Sequence, residues 1–110
     1  MAAPKVLEVV QNDVLTTHPL TIYEYDGTPM DLTLVTEIAI KAAAPGGTIL
    51  VLDTTCIRQL PYANGICHYI KQSDELNIVG LYHAELQITD SGGVIVTTKR
   101  FDIRVVKDLP

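Results

Sequence analysis

The sequence predicts an all-β protein, an antiparallel β-sandwich of about seven strands. Val, Ile and Thr are abundant, and β-branched side chains suit the pleated, half-buried surface of a sheet. Gly and Pro lie between the apolar runs, where turns are expected. No stretch of about a dozen residues carries the apolar period of a helix.

Length and charge limit what the chain can be. Its 110 residues predict a single domain spanning residues 1–110. Apolar residues make up 47% and charged residues 19%, which excludes a disordered chain. A net charge of −5 argues against a nucleic-acid partner. No apolar run approaches the roughly 20 residues of a membrane span, and Met1–Lys5 lacks the pattern of an export signal, so we expect synthesis without export and no membrane partner.

Four turns divide the sequence. Pro45-Gly46 fits the central positions of a type II turn, and Asn64-Gly65 favours a type I′ hairpin. The other two turns are Asp26-Gly27 and Ser91-Gly92-Gly93.

The first half of the chain is predicted to hold strands at residues 6–10, 15–25 and 37–43. His18-Pro19 makes its stretch an edge strand, a bulge or a strand start, because Pro cannot donate to a ladder. In the third strand, alternation predicts one core face and one wet face. The core face is formed by Ile38, Ile40 and Ala42, and the wet face by Glu37, Ala39 and Lys41.

The second half is predicted to hold strands at residues 48–53, 66–70, 81–89 and 94–106, with one helical turn at Ser73–Leu76. The clearest strand directs four side chains inward: Tyr82, Ala84, Leu86 and Ile88. In residues 94–106, Val94 and Val96 would point to one face of a regular strand and Phe101 to the opposite face. A one-residue bulge near Thr98-Lys99-Arg100 would bring both sets to the core face.

Catalytic and metal-binding patterns are missing from the sequence. Its two serines, Ser73 and Ser91, lie at a predicted cap and in a Gly-rich turn, and neither has a Gly-x-Ser-x-Gly elbow. The soft zinc ligands match no compact site in their spacing: Cys56, Cys67, His68 and His83. We therefore expect no catalytic residues, no metal and no cofactor.

The two cysteines leave two alternatives open. Cys56 and Cys67 flank a segment that contains a predicted turn, and a disulfide could form across a hairpin if the Cα atoms come within about 7 Å. A reducing cytoplasm favours buried free thiols instead.

Two segments are apolar on both faces, whereas a strand of a two-sheet sandwich should keep one face polar. In Ile49–Leu52, parity with Asp53 assigns Ile49 and Val51 outward and Leu50 and Leu52 inward. Ile95 is assigned outward by the same reasoning. Leaving such a side chain exposed forgoes roughly 1.5–3 kcal/mol of burial, so we predict an interface at Ile49, Val51 and Ile95. The alternative is that loops or residues 73–78 cover these side chains.

Gly80-Leu81-Tyr82 opens the clearest strand, and Gly-x-Tyr there is similar to the tyrosine corner of immunoglobulin-like domains. Other motifs follow a recognisable order along the chain: Asp26–Thr33, Ile38 and Ile40, Pro45-Gly46-Gly47, Gly80–Leu86, Gly92-Gly93-Val94 and Phe101–Val105. In this order the sequence resembles the immunoglobulin-like N-terminal domain of tailed-phage baseplate upper proteins and similar small phage virion proteins.

The resemblance implies an immunoglobulin-like β-sandwich in a non-enzymatic virion protein, and the missing export signal adds the expectation that it is made in the host cytoplasm. It implies docking on other virion proteins of the tail, neck or capsid, and assembly into a homo-oligomer. In the family a C-terminal part carries receptor-binding proteins, whereas this sequence ends at Pro110. Baseplate adaptor, capsid decoration, neck component and fibre base therefore stay open.

A second hypothesis is a binding module for a host glycan or receptor. It would use the loop tips at residues 58–64 and 23–26, with Tyr62 as a contact residue.

Overall fold

The computed structural model describes residues 6–108, so Met1–Lys5, on which the export prediction rests, and Pro110 lie outside the described residues. Eight strands and a 3₁₀ turn at Tyr62–Asn64 form this part of the chain. The strands are β1 Leu7–Val10, β2 Thr17–Thr21, β3 Val35–Ala43, β4 Leu50–Arg58, β5 Ile66–Ile70, β6 Gly80–Asp90, β7 Ile95–Thr97 and β8 Phe101–Val106. Within residues 6–108, no helix is long and apolar enough to cross a bilayer.

The strands form the two layers of a β-sandwich, joined by β4. One layer has the order β1-β8-β6-β3-β4, with β7 also paired to β6. The other contains β2, β5 and the end of β4, where Ile57 and Arg58 pair with β5. The predicted antiparallel arrangement is wrong at one pair, because β1 runs parallel to β8.

The alternation in β6 and β3 builds the core. The four predicted inward residues of β6 are buried, as are Ile38, Ile40 and Ala42 of β3. Ala39, predicted on the wet face, is also buried. Its methyl group lies between the longer side chains of Thr55 and Gln87 on the neighbouring strands, which are large enough to cover it.

The predicted bulge separates β7 from β8. Residues 98–100 oppose only residues 85 and 86, because Thr97 pairs with Gln87 and Phe101 with Ala84. Thr98 is buried at this point, and its Oγ1 accepts a 3.0 Å hydrogen bond from the Leu86 N–H. The extra residue reverses the parity, so β8 turns the side chains of Phe101, Ile103 and Val105 into the core.

Of the three predicted local features at residues 45–46, 64–65 and 73–76, the first is present and the other two are replaced by different turns. Gly46 has a φ of 68° in a turn closed by Gly47 N–H to Ala44 O, as a type II turn requires. The predicted I′ hairpin is wrong, since the 3₁₀ turn stands there and Gly65, with a φ of 70°, ends it. The predicted helical turn at Ser73–Leu76 is a non-helical turn followed by a bend, because Leu76 has a φ of 51° that a right-handed helix excludes.

One buried polar residue was not anticipated. Lys71 is fully buried at the end of β5. Its Nζ donates hydrogen bonds to the Asp13 carbonyl at 2.7 Å and to Asn77 Oδ1 at 3.2 Å. These bonds tie the β1–β2 connection to the β5–β6 loop, and the Gln11 amide reinforces them by donating to the Asn77 carbonyl at 2.7 Å.

Candidate docking surface

The three residues of the predicted interface are exposed but do not share one patch. Ile49 is 75% exposed, Val51 48% and Ile95 58%. Leu50 pairs with Ala43, which in turn pairs with His83, whereas Ile95 pairs with Thr89. His83 and Thr89 are six residue steps apart along β6, which corresponds to about 20 Å. The surface therefore has two apolar clusters at opposite ends of β6.

The hairpin cluster lies at the start of β6, where the β3–β4 hairpin meets the β5–β6 loop. Its members are large apolar side chains that are at least 40% exposed: Ile49, Leu50, Val51, Ile78, Val79 and Leu81. Sequence reasoning missed Ile78 and Leu81, although the apolar run Ile78-Val79 just before Gly80 was a usable signal.

Leu50 corrects the face assignment in β4. It was predicted inward, yet it is 50% exposed. The register shifts at Ala42/Ala43, so that Ala42 pairs with Leu52 and Ala43 with Leu50. This bulge places one extra residue in β4 and reverses the alternation upstream of it. Leu50 consequently shares the outer face with Ala43, while Leu52 is buried as predicted.

Val51 lines a cavity of about 170 Å³ at the open edge of the sandwich. The walls include Pro45 from the hairpin turn, Leu76 and Ile78 from the β5–β6 loop, and Tyr82 from β6. The only charged residue in the lining is Asp74. Val51 was predicted to face outward like Asp53, but it faces this cavity together with the buried Leu76 and Tyr82. The bulge therefore changes the face of Val51 as well as that of Leu50.

Tyr82 and Gly80 hold this end together. The Tyr82 phenol donates a 2.7 Å hydrogen bond to the Ile78 carbonyl, which is the back-bond that the Gly-x-Tyr motif predicts. Burial raises the pKa of Tyr82, so the phenol stays protonated as a donor. At Gly80 a Cβ would come within 2.8 Å of Pro45 Cγ, so only glycine lets the hairpin turn approach this closely.

The distal cluster lies at the other end of β6. It consists of Leu34, Val94 and Ile95, which are all more than half exposed. The Ser91 N–H donates to the Leu34 carbonyl at 2.8 Å and joins the β6–β7 turn to the segment before β3. Val94 was predicted to face the core, but it belongs to the turn, where the Asp90 carboxylate accepts its N–H at 3.0 Å.

The cysteines lie side by side in the core. Both are free and buried. A hydrogen bond with the Cys67 thiol, together with burial, raises the pKa of Cys56 far above its ordinary range. The neutral thiol is therefore the stable form, and the pair contributes to packing between the two layers.

The remaining polar candidates are dispersed. In the part of the chain that the structure describes, no three His, Cys, Asp or Glu side chains are grouped to hold a metal ion. His83 Nδ1 contacts Asp102 Oδ1 at 3.0 Å on the exposed outer face. Ser73 and Ser91 both lie in turns or bends.

The loop tyrosines have different surroundings. The Arg58 guanidinium lies 4.1 Å above the Tyr62 ring, and its Nη1 donates to the Leu32 carbonyl at 2.9 Å. Tyr62 packs against the core from this position. Tyr25 is 83% exposed. The loop tip at residues 58–64 is thus held by its own contacts, and its role in glycan or receptor binding stays a prediction.

A known protein family matches nearly the whole chain. The family described as the BppU N-terminal domain matches residues 10–109. The chain belongs to this family. The resemblance to the N-terminal domains of phage baseplate upper proteins is therefore confirmed, and membership indicates a phage baseplate-related structural protein of the virion. Its fold is an immunoglobulin-like β-sandwich.

Other comparisons give only distant similarities. Murine CRIg is 10% identical, with a TM-score of 0.47 over 96% of this chain and 95% of that chain. Extracellular domains 3–5 of Drosophila OTK are 14% identical, with a TM-score of 0.34 over all of this chain and 35% of that chain. Comparison with curated proteins gives no match.

Proposed function

We propose that this BppU N-terminal domain is a non-enzymatic adaptor that docks on other virion proteins through its hairpin and distal clusters. The observation that supports the proposal is the pair of exposed apolar clusters at opposite ends of β6, on a chain whose family is a phage baseplate family.

The physical reason is the cost of leaving these side chains in water. Fully burying a Val, Leu or Ile side chain stabilises by roughly 1.5–3 kcal/mol, and contiguous exposed apolar patches on a small domain mark contact sites. Each cluster holds at least three such side chains. Contact with a neighbouring subunit would remove them from water.

Two contact sites also suit a symmetric particle. A subunit with different patches at its two ends can contact two neighbours at once, and repeated contacts of this kind form a ring when the rotation between neighbours closes. We therefore propose several copies in a ring-like layer of the virion, as homo-oligomer or with other tail, neck or capsid proteins.

Incorporation into phage particles tests the proposal. Ile49→Asp and Ile95→Asp each bury a charge at the proposed contact, so purified virions should contain at most about a tenth of the wild-type amount. Thr48→Asp and Thr97→Asp change neighbouring exposed residues and serve as matched controls that incorporate normally. Wild-type protein absent from particles, or Asp variants that incorporate like their controls, would refute the proposed function.

A further inference from the structure

The first part of β4 has an unpaired edge. Between Leu50 and Cys56 the strand pairs with β3 on one side, while β5 pairs only with Ile57 and Arg58 on the other. The Gln59 N–H bonds the Ile66 carbonyl on the β5 side. In an antiparallel strand every second residue directs its N–H and C=O to the same side, so the backbone groups of Asp53 and Thr55 point towards the free edge.

No backbone or side-chain group of residues 6–108 covers this edge with a hydrogen bond. Its sequence, Leu50-Val51-Leu52-Asp53-Thr54-Thr55, contains neither Pro nor Lys, two residues that protect edge strands. The bulge lies at its start, and Asp53–Thr55 pair regularly with β3. Val51 at its start is continuous with the apolar cavity that Leu76 and Ile78 line. A strand that lies along this edge would gain ladder hydrogen bonds and an apolar pocket together.

The charges indicate what kind of strand fits. Asp53 is the only charge on the edge, and Asp74 is the only charge in the cavity lining. Asp53 pairs with Lys41 of β3, which pairs in turn with Glu85 of β6, so this row of charges alternates in sign and ends in a carboxylate at the free edge. A second copy paired antiparallel through the Asp53 backbone would bring the two Asp53 carboxylates opposite or diagonal to each other, and like charges there are destabilising. A strand that carries Lys or Arg at this position would be attracted instead.

We infer that β4 accepts an extended segment of another virion protein as an added strand, with apolar side chains at alternate positions and a Lys or Arg near Asp53. The inference rests on the proposed adaptor function and names the chemistry of the partner at the hairpin cluster. The segment pairs with the N–H and C=O groups of Asp53 and Thr55 and places an apolar side chain beside Val51.

Binding of a synthetic strand tests the inference directly. The probe is the capped peptide acetyl-Val-Lys-Val-Thr-Val-Lys-Val-amide, measured by calorimetry on the full chain, and the control probe has Glu at both Lys positions. We expect the Lys peptide to bind about tenfold more tightly than the Glu peptide. Amide exchange should slow at Asp53 and Thr55 when the Lys peptide is bound.

Two substitutions at one position separate the backbone from the side chain. Thr55→Pro removes an N–H that does not pair with β3, so the fold should persist and the peptide affinity should fall about tenfold. Thr55→Ala keeps the N–H and should bind within about twofold of wild type. If Thr55→Pro does not fold, amide exchange in the wild type is the test. Slower exchange of the Asp53 and Thr55 amides with the Lys peptide supports the inference, and unchanged exchange contradicts it.

Equal binding of the two peptides would overturn the inference, and so would unchanged exchange of the edge amides when the Lys peptide is bound. A chain that dimerises and shows slow exchange of these amides without peptide would also overturn it, because the edge would then belong to a second copy. Because incorporation into virions is measured separately, a chain that enters particles but ignores the peptide leaves the adaptor function standing.

Discussion

The Tyr82 Oη donates a 2.7 Å hydrogen bond to the carbonyl of Ile78, two residues before β6 begins. The bond fixes the end of the β5–β6 loop against the core. Val51 and Ile78 both line the cavity beside it. The position of the hairpin cluster therefore depends on a buried phenol that is not itself part of the exposed surface.

Tyr82→Phe should lower the free energy of unfolding by about 1–2 kcal/mol, because the Ile78 carbonyl loses its partner while the ring still fills the core. Urea unfolding measures the change. Tyr25→Phe is the matched control, since Tyr25 is 83% exposed, and it should leave stability unchanged. Equal midpoints for Tyr82→Phe and wild type would show that the bond contributes nothing.

Acid should destabilise the fold through His18. Burial lowers the pKa of this half-buried residue, whose Nε2 contacts Thr16 Oγ1 at 2.9 Å. The unfolded chain then takes up a proton near pH 6.5 while the folded chain does not, so stability is retained above that pH and falls as the pH drops below it. Denaturant unfolding at pH 8 and pH 5 should show a smaller loss in His18→Gln than in wild type, and an identical loss would contradict the assignment.

Both thiols should resist thiol-specific labelling in the folded protein. The hydrogen bond between Cys56 and Cys67 and the burial of Cys56 raise the pKa of Cys56, so Cys56 offers almost no thiolate. Cys67 is fully buried, so a reagent cannot reach it in the folded protein. Labelling by a disulfide reagent at pH 8 should follow the rate of global unfolding, and both cysteines should react at once in denaturant. An intact mass about 2 Da lower, with no labelling in denaturant, would instead establish the Cys56–Cys67 bridge.

The same charge should have opposite effects in the core and on the surface. Leu86 is fully buried at the centre of β6, so Leu86→Asp should unfold the domain. Val51 is 48% exposed, so Val51→Asp should keep the native circular dichroism spectrum and thermal transition while it prevents incorporation into virions. An unfolded Val51→Asp would mean that the cavity around Val51 is part of the core.

Local side-chain patterns account for most of what the sequence could predict. The alternation at Tyr82, Ala84, Leu86 and Ile88 fixes the core face of β6, and the change of parity before Phe101 requires the bulge that the structure shows. These features depend on neighbours within one strand, where the period of two is informative.

The features that could not be predicted depend on contacts between distant segments. The bulge that exposes Leu50 is determined by how β4 pairs with β3 across the hairpin, and no local pattern reports it. Lys71 is buried because Asp13 and Asn77, from two separate loops, supply oxygen acceptors. The separation of Ile95 from Ile49 follows from the register of β6 with its neighbours, which side-chain parity does not contain.

If both clusters bind neighbours, as proposed, their separation makes the domain a spacer. About 20 Å of β6 lies between the two clusters, in a domain whose longest dimension is 44 Å, so subunits bound at both clusters would be held at a fixed distance from each other. Changing which loop residues are apolar would change which proteins the domain binds, whereas lengthening or shortening β6 would change the distance between those proteins. In a particle built from repeated units, the length of β6 would thus set the spacing between the subunits that the domain joins.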